Sequence, residues 1–512
     1  MLMGNIKEVF IKMGLLERKL KHVSELKGIS YDSEYFNRVK LWENMYKGFD
    51  KSYHEVKYGT VSGIKKRNLR RMNMAKVVSH EMASIIFNEK AQISITDEKF
   101  DEYVQDLLED NGFFENFQRY LEYGFATGGF VIKPYYDAVK DKLKLSYIAH
   151  GSYVPTSWDN NGITGMAFFN NINKGDKFYT HIEFHKWQRS HAFDEETGRM
   201  EPKDVYVVEN SLYMSQRKEE LGEKIELSVL FDGLEESVVF HDITQSLFVY
   251  FKPNTANNID TNSPMGISIF ADAIDTLYSL DVAFDSYNRE FRLGKRRLLV
   301  PRTAIRVTPD EYGNLTRTYD PDDEVLESLD MGGGIDAQKI HDSTVDIRAE
   351  EHLDSINGYL DILCMQTGFS GGTFVFDGKS MKTATEVISE NSKTFRTKQS
   401  HEHIIEGGIK RLVVIIAELT SMFDLHDVPE EFDTIVKFDD SVTEDNSAKE
   451  KRIIELVREG LESKKRAIME IHGVDDDEAM KIIEEINAEK KMAFESMASD
   501  MTSDDDLFGE TE

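Results

Sequence analysis

Apolar side chains in the first quarter of the chain recur at the spacing of an α-helix. Residues 66–90 place a set of them on one broad face: Met74, Val77, Val78, Met82, Ile85 and Ile86. Spacings of three and four residues predict an amphipathic helix, and two further helices are expected at about 98–110 and 113–127. The segment before residue 128 is therefore predicted to be mainly helical.

The hydrophobic period changes after residue 128. Short β-branched or aromatic runs follow, separated by Gly and Asn turns, among them "FVIKPYY", "KFYTHIEFHKWQ" and "DVYVVENSLY". Such runs are typical of an antiparallel sheet or sheets. Helices followed by antiparallel strands predict an α+β fold class for this body.

A helical hairpin that encloses a small lobe is predicted next. Ser263 before Pro264 is a strong helix-start signal, and the helix beyond it has acids around a large apolar stripe: Phe270, Ile274, Leu277, Phe284, Tyr287 and Phe291. A second helix is expected at about 347–366. Between the two helices, a candidate strand "LLVPRTAIRV" is followed by turn-rich segments. The pattern indicates a stalk with a knob at its end.

A third long helix is expected from Thr383 to about Phe423. Its first half, "SENSKTFRTKQSHEH", is polar almost all round, whereas its second half is strongly apolar. A helix that is polar on every side usually lies between packed bodies or at a subunit interface, so this half indicates an assembly. A strand within "DTIVKFDD" and two or three short helices are expected to follow, with Gly460 and Gly473 as stops.

Composition narrows the class of function. The chain of 512 residues has a net charge of -31, which argues against a protein that grips nucleic acid but not against one that lets DNA slide past. It has no apolar run long enough for a membrane span and no signal-peptide pattern, so a cytoplasmic origin is expected. The single cysteine, Cys364, excludes an internal disulfide, and the acidic residues from Ala498 onward are expected to be disordered.

The stretch "GGTFVFDGKSMKTATEV" (371–387) contains a Gly-Lys-Ser triplet, as a nucleotide-binding loop does, but its residue spacing does not match that motif. A Walker loop has four residues between its first glycine and the Gly-Lys-Ser/Thr triplet, whereas five residues separate Gly372 from Gly378. One of the intervening residues is Asp377, whose carboxylate would lie where phosphate oxygens bind. A helical pattern precedes the stretch, where a nucleotide-binding loop would follow a buried strand.

The sequence shows no convincing catalytic or metal-binding constellation. His401 and His403 stand at i, i+2 on a helix, which points them to different faces, so exposed side chains are expected. His181 and His185 would share one face of a strand, but metal binding there is not favoured. No nucleophile elbow or His-Glu-x-x-His motif is present. The chain is predicted not to be an enzyme and to carry no cofactor or metal.

These elements, in this order, resemble the portal proteins of tailed bacteriophages that infect Gram-positive bacteria. The most specific similarity is "KTATEVISENSKTFRTKQSHEHIIEGGIKRLV" (382–413), which looks like the family's segment after its tunnel loop. "VREGLESKKRAIMEIHGVDDDEAMKIIEEI" (457–486) is similar to the family's helical crown, and "KVVSHEMASIIFNEKAQI" (76–93) to its wing helix. The resemblance spans nearly the whole chain.

The resemblance implies a portal-type subunit with a mixed α/β wing, a two-helix stem and a small α/β clip. The implied segments are a wing (1–265), a first stem helix (266–297), a clip (298–345), a second stem helix (346–369), a tunnel loop (370–382), a long helix with a return to the wing (383–440), a helical crown (441–490) and an acidic tail (491–512). A dodecameric ring at one capsid vertex of the virion is the implied assembly.

The implied function is a DNA conduit that is assembled in the host cytoplasm. Double-stranded DNA would be packaged through the ring and later released to the tail, without sequence-specific contacts. The terminase large subunit and a head-completion adaptor would dock at the clip, and scaffolding and major capsid proteins would contact the ring during assembly. The terminase, not this chain, would hydrolyse ATP.

The implied DNA-contact residues lie in the tunnel loop. Phe374 and Phe376 would pack loop against loop, while Lys379 and Lys382 would reach the DNA backbone. The alternative is a loop that packs on its neighbour with both lysines in solvent. A second basic cluster near the junction of stem and clip either faces the channel or, as favoured, pairs with acids of an adjacent subunit: Arg289, Arg292, Lys295, Arg296 and Arg297.

Two other classes of protein remain open from the sequence. A capsid-associated scaffold or another interaction protein would not form rings. A phage enzyme with a dispersed active site, such as a nuclease or a ligase, would need a cluster of carboxylates or histidines assembled in space. Such an enzyme would lose activity on chelation or on mutation of that cluster.

Overall fold

The computed structural model divides the chain into two compact units. The first comprises Met1–Ser380 and Asn391–Asp439, and the second comprises Met381–Glu390 and Asp440–Glu512. The structure describes residues 33–60, 63–194, 199–218, 220–294, 298–301, 308–309, 315–316, 328–329, 341–342, 346–375, 384–439, 446–472 and 478–488. The predicted acidic tail and most of the predicted clip lie outside these residues.

The first unit begins with helices around an aromatic core. They are α1 (Ser33–Tyr46), α2 (Lys51–His54), α3 (Met74–Ile86), α4 (Glu98–Asp110) and α5 (Phe113–Thr127). α4 begins where the Asp97 carboxylate accepts a hydrogen bond of 2.8 Å from the Phe100 N–H, which satisfies one of the free donors of the first turn. The helices predicted at 98–110 and 113–127 are confirmed.

The segment that leads into α3 is a β-hairpin, so the helical prediction is wrong for the beginning of 66–90. β1 (Glu55–Thr60) and β2 (Gly63–Asn68) pair antiparallel, and Asn73 precedes α3 with a left-handed backbone at φ +56°. The residues of β2 from Lys65 onward are all polar. A helix here would have no apolar face to bury, whereas the pairing of β1 with β2 satisfies the backbone groups of alternate residues.

The middle of the first unit is antiparallel, as the β-branched and aromatic runs predict. β4 (Phe130–Asp137) pairs with β5 (Lys142–Ala149) and with β12 (Val249–Phe251). The strands of the larger sheet are β6 (Tyr153–Asp159), β7 (Gly162–Lys174), β8 (Lys177–Asp194), β9 (Arg199–Ser215), β10 (Glu223–Ile225) and β11 (Ser237–Phe240). Their order in the sheet is β10-β9-β8-β7-β6, with β11 also on β9.

A cluster of phenylalanine rings joins the helices to the small sheet. The ring of Phe117 on α5 lies 4.6 Å from that of Phe87 and 5.2 Å from that of Phe251 on β12. Phe251 in turn stacks on Phe130 of β4 at 5.1 Å. All four side chains are buried, and each buried aromatic ring contributes on the order of 2 kcal/mol of transfer free energy.

Two glycines bring the end of α5 against the segment that precedes the next helix. Gly128 ends α5 with φ +98°, and a Cβ atom on it would lie 2.4 Å from the Gly266 carbonyl oxygen. The Tyr250 hydroxyl donates to the Gly128 carbonyl and accepts from the Gly266 N–H, both at 2.9 Å. The Tyr35 hydroxyl donates to the Gly266 carbonyl at 2.7 Å. Only glycine permits this approach of two backbones.

α6 (Ile274–Leu293) begins later than the sequence predicts. The helix start predicted at Ser263 is wrong, and residue 266, where the predicted stem segment begins, precedes the helix. Residues 266–270 instead cross the end of α5, where the Ile269 N–H donates to the Phe125 carbonyl at 3.0 Å. This tertiary hydrogen bond competes successfully with the helical ones, and α6 starts only after a 3-10 turn at Ala271–Ala273.

The other two long helices agree with their predicted extents. α7 (Ala349–Thr367) ends at Gly368, which has φ +86°, and α8 runs over Ala384–Met422. β18 (Thr434–Lys437) lies in the predicted strand and pairs with β3 (Gln92–Ile95). Between α6 and α7, short described strands pair with one another: β13 (Leu298–Pro301), β14 (Thr308–Pro309), β15 (Leu315–Thr316), β16 (Ser328–Leu329) and β17 (His341–Asp342).

The second unit contains short helices, as the sequence predicts. α9 (Asn446–Arg458) is followed by Gly460 at φ +72°, which confirms this glycine as a stop, and α10 (Lys464–His472) comes next. Residues 478–488 are also helical, whereas Gly473 lies outside the described residues. In the described part of the whole chain, every helix is too short or too polar to cross a bilayer.

Candidate functional site

α6 and α7 form an antiparallel hairpin whose register is fixed by contacts near one end, where α6 finishes and α7 starts. The Arg348 guanidinium donates two hydrogen bonds of 3.1 Å to the Glu290 carboxylate, and the ring of Tyr287 lies 6.1 Å from that of His352. The facing side chains are buried: Leu277, Leu280, Ile356, Leu360 and Leu363. The last turns of α6 and the first turns of α7 therefore lie at one level of the hairpin.

The carboxylate of Asp281, buried on α6, holds the chain segment on either side of the β1–β2 hairpin. It accepts hydrogen bonds from the His54 Nε2 at 3.1 Å and from the Met72 N–H at 2.8 Å. The Asp50 N–H donates to the His54 Nδ1 at 2.8 Å, so the proton of the neutral ring is on Nε2. Both contacts tie the β1–β2 region to α6.

Asp285 lies one turn further along α6 and makes a second anchor. Its two oxygens accept from the Arg67 guanidinium at 2.8 and 2.7 Å, and one of them also accepts from the Arg70 N–H at 3.0 Å. Burial alone would raise the pKa of Asp285, but these hydrogen bonds outweigh it and lower the pKa. The i, i+4 spacing of Asp281 and Asp285 is the sequence signal that marks one helix face.

A cavity of about 970 Å³ opens between this anchored segment and the second half of α6. We call it the basic groove because five arginines line it: Arg67, Arg70, Arg71, Arg289 and Arg292. Asp285 is the one carboxylate among the described lining residues, and Arg67 already occupies it. The groove therefore presents a surplus of positive charge on a strongly acidic chain.

The structure places two members of the predicted basic cluster at this groove. Arg289 and Arg292 are exposed and, among the described residues, have no ion-pair partner. They are three residues apart on α6, so their side chains lie on the same face of the helix and can contact the same partner. Lys295, Arg296 and Arg297 lie outside the described residues. The choice between channel contact and intersubunit pairing stays a prediction.

The beginning of the predicted tunnel loop is fixed between α7 and α8. The Ser370 N–H donates to the Thr394 hydroxyl of α8 at 2.8 Å, and the Thr394 N–H donates back to the Ser370 hydroxyl at 3.2 Å. The Gly372 N–H donates to the Asp361 carboxylate of α7 at 3.0 Å, with a backbone φ of +76°. These hydrogen bonds give the loop a defined starting direction.

Of the four contact residues predicted in the tunnel loop, Phe374 lies within the described part of the chain. Its ring packs edge-on against that of Phe369 at 5.0 Å, and its side chain is half-buried against the core of the same chain. A half-buried ring retains a surface on which another loop could pack, so the contact between loops stays a prediction. Phe376, Lys379 and Lys382 lie outside the described residues.

The polar half of α8 is partly buried within its own chain. His401 is 5% exposed, and its Nδ1 accepts a hydrogen bond of 3.0 Å from the Asn254 N–H, so the prediction that this histidine is exposed is wrong. Lys398 is 2% exposed and donates to the Asp439 carbonyl at 2.6 Å, while its Nζ lies 3.0 Å from the Glu402 carboxylate. Polar residues on a helix gave no sequence signal for these long-range partners.

The free energy of unfolding is expected to fall between about pH 6.5 and pH 4 because of His401. Burial lowers its pKa from 6.5 to about 4 in the folded chain. The unfolded chain then binds a proton that the folded chain does not, so stability is lost as the pH drops, by roughly 3 kcal/mol for this group. Urea unfolding of His401→Asn, which keeps an acceptor for Asn254, should show a shallower pH dependence.

The matched control for this measurement is His403→Asn, because His403 is exposed on the same helix. This variant should follow the pH dependence of the unmodified chain. An unchanged pH dependence in His401→Asn would mean that His401 takes up its proton in the folded chain as readily as in water.

The histidines of β8 have structural partners. The His181 Nε2 lies 3.0 Å from the Asn210 carboxamide oxygen, and the His185 Nδ1 lies 2.8 Å from the Tyr206 hydroxyl. Glu183 contacts His185 and Lys133, both at 2.5 Å. Burial alone would raise the pKa of Glu183, but these two neighbours lower it well below the ordinary value. In the described part of the chain, no group of three or more His, Cys, Asp and Glu side chains could hold a metal.

The described residues of the first unit combine a long helical hairpin, a loop held between helices and several antiparallel sheets. The family model of the phage portal protein, SPP1 Gp6-like, matches residues 29–495 of the 512. The chain belongs to this family of phage portal proteins, which act in genome packaging and are structural rather than enzymatic. No curated protein matches the chain.

Proposed function

We propose that the chain assembles into a dodecameric ring at one capsid vertex and forms the conduit through which the genome is packaged and later released. The family match over residues 29–495 is the observation that carries this proposal. The ordered hairpin of α6 and α7 supports it, because long side-by-side helices can line a channel when copies are arranged around an axis.

The proposed architecture assigns α6 and α7 to the stem and residues 298–345 to the clip. Residues 370–382 form the tunnel loop, 441–490 the crown, and most of the remaining chain the wing. The fixed positions of Ser370 and Gly372 support the loop assignment, since a contact with moving DNA requires a loop that is held at its base.

The proposed partners follow from the position at the vertex. The terminase large subunit and the head-completion adaptor dock at the clip at different stages, and the terminase supplies the energy by hydrolysing ATP. Scaffolding and major capsid proteins surround the ring during assembly. Double-stranded DNA passes without sequence-specific contact, which suits a chain with a net charge of -31, because most of its surface repels phosphate.

Within the tunnel loop, Lys379 and Lys382 are the proposed phosphate contacts. Phe374 and Phe376 are proposed to pack neighbouring loops together around the channel. Two lysines per copy among acidic surroundings touch the DNA backbone without retaining it, because each contact is weak and is exchanged as the duplex advances.

The purified chain is expected to form rings with a central hole wide enough for a DNA duplex. Negative-stain microscopy reveals the hole, and light scattering gives the mass and hence the number of copies. A monomer that persists over a wide range of protein and salt concentrations would contradict the ring. In that case, the capsid-associated scaffold and the enzyme with a dispersed site would again be the leading candidates.

A further inference from the structure

We propose that the basic groove of one copy receives the acidic first turns of α7 from the next copy in the ring. We call the latter surface the acidic strip, formed by Glu350, Glu351 and Asp354. The inference rests on the ring proposed above, and it names the contact through which neighbouring copies recognise each other.

The basic groove offers exposed guanidinium groups to a further partner. Among the described residues, Arg70, Arg289 and Arg292 form no ion pair through their side chains, whereas Arg67 is held by Asp285. Guanidinium groups are weakly hydrated and bind carboxylates through two parallel hydrogen bonds, so they suit ion pairs between subunits. Carboxylates from a neighbouring copy would complete ion pairs with these guanidinium groups.

The acidic strip offers carboxylates on the exposed side of α7. Ile356 and Leu360 bury the opposite side of the helix, while Glu350 and Asp354 are exposed and form no ion pair with another described residue. Acids suit the first turn of a helix, but Asp354 lies beyond it, and two like charges at i, i+4 destabilise a helix. A basic partner removes that repulsion.

The two surfaces lie at the same level of the hairpin. The hydrogen bonds of Arg348 to Glu290 and the ring contact of Tyr287 with His352 place the end of α6 beside the start of α7. Rotation about a ring axis that runs along the hairpin preserves this level. Arg289 and Arg292 of one copy then meet Glu350 and Glu351 of the next in a head-to-tail interface, which is the type that closes into rings.

Exposed apolar side chains on both helices support contact between copies. On α6, Val282 is 37% and Phe291 is 44% exposed, and on α7, Ile362 is 41% and Met365 is 64% exposed. Ile362 and Met365 are three residues apart and therefore share one exposed face of α7, and apolar side chains that share an exposed face suit burial against another protein surface. A second protein surface would bury them, whereas a nucleic acid backbone would leave them in water.

Charge reversal with rescue tests the pairing directly. Arg289→Glu with Arg292→Glu, and separately Glu350→Arg with Glu351→Arg, should each raise the protein concentration needed for half-assembly by about tenfold or more. The chain with all four changes should return to within about threefold of the unmodified chain, because opposite charges meet again. Light scattering across a concentration series measures the assembly, and circular dichroism melting checks the fold.

A matched control reverses two lysines at the β7–β8 turn. Lys174 and Lys177 are exposed, so Lys174→Glu with Lys177→Glu alters net charge by the same amount as the arginine variant and should leave assembly unchanged. Failure of the fourfold variant to recover would overturn the pairing. Normal assembly of the arginine variant would also overturn it, and weaker binding of a fluorescent duplex by that variant would identify DNA as the occupant.

The experiment distinguishes a chain that forms no rings from a chain whose rings do not depend on the proposed contact. An unmodified chain that forms no rings at any concentration would overturn the proposed function and this contact together. Rings from the unmodified chain, with the charge-reversed variants assembling equally well, would reject the contact and leave the proposed function standing.

Discussion

A chain that carries Lys379→Glu together with Lys382→Glu is expected to form rings but to package little DNA. The changes replace two positive charges in each proposed tunnel loop with two negative ones. Duplex DNA carries one negative charge per roughly 1.7 Å of its axis, so every loop would repel the phosphates that it is proposed to contact. We expect packaging to fall by roughly tenfold or more, measured as nuclease-protected DNA in reconstituted capsids.

Two controls separate a local contact from a general effect of charge. Lys174→Glu with Lys177→Glu adds the same negative charge on an exposed turn and should package normally. Lys379→Gln with Lys382→Gln removes the attraction for phosphate without adding repulsion. This variant should package an amount of DNA between those of the unmodified chain and the glutamate variant. Normal packaging in the tunnel-loop glutamate variant would reject this loop as the DNA contact, and loss of its rings would assign the lysines to assembly instead.

Sequence patterns predicted the long helices of the hairpin because burial of an apolar stripe is a local signal. The stripe that includes Leu277 and Tyr287 marks α6, and the structure buries or half-buries both residues against α7. The helix start could not be predicted, since the hydrogen bond from Ile269 to Phe125 joins segments that are distant in sequence. Such tertiary contacts override a local helix-start signal such as Ser263 before Pro264.

The candidate site was predictable only in part. The density of basic residues drew attention to Arg289 and Arg292, but their groove is completed by Arg67 and Arg70, more than two hundred residues earlier in the chain. Asp285 joins the two segments, and its partner cannot be deduced from helix periodicity. The sequence alone therefore identified one wall of the basic groove and missed the other.

The same limit explains the polar half of α8. A helix without an apolar face predicts an interface with another body, and the structure shows that some of its polar groups are buried inside their own chain. His401 and Lys398 are satisfied by Asn254 and by the Asp439 carbonyl. A folded chain tolerates a buried polar group when that group has a hydrogen-bond partner. Helix periodicity does not identify partners that are distant in the sequence.

Replacing Gly128 with alanine is expected to destabilise the chain by about 3 kcal/mol or more. The new Cβ would lie 2.4 Å from the Gly266 carbonyl oxygen and 2.9 Å from its carbon, while φ of +98° strains any residue with a side chain. Both clashing groups are backbone, so no rotamer change relieves them. Separation of the two backbones would also break the hydrogen bonds of the Tyr250 hydroxyl.

Gly175→Ala is the matched control for this close approach, and urea unfolding measures both variants. Gly175 also has a positive φ, +63°, but a Cβ there meets no atom within 4 Å, so only the backbone strain of about 1 kcal/mol is expected. The difference between the two losses of unfolding free energy measures the contribution of the contact between Gly128 and Gly266, which fixes the segment before α6. Equal losses would mean that the Gly128 and Gly266 backbones separate easily, and the position of α6 would then depend on Asp281 and Asp285 instead.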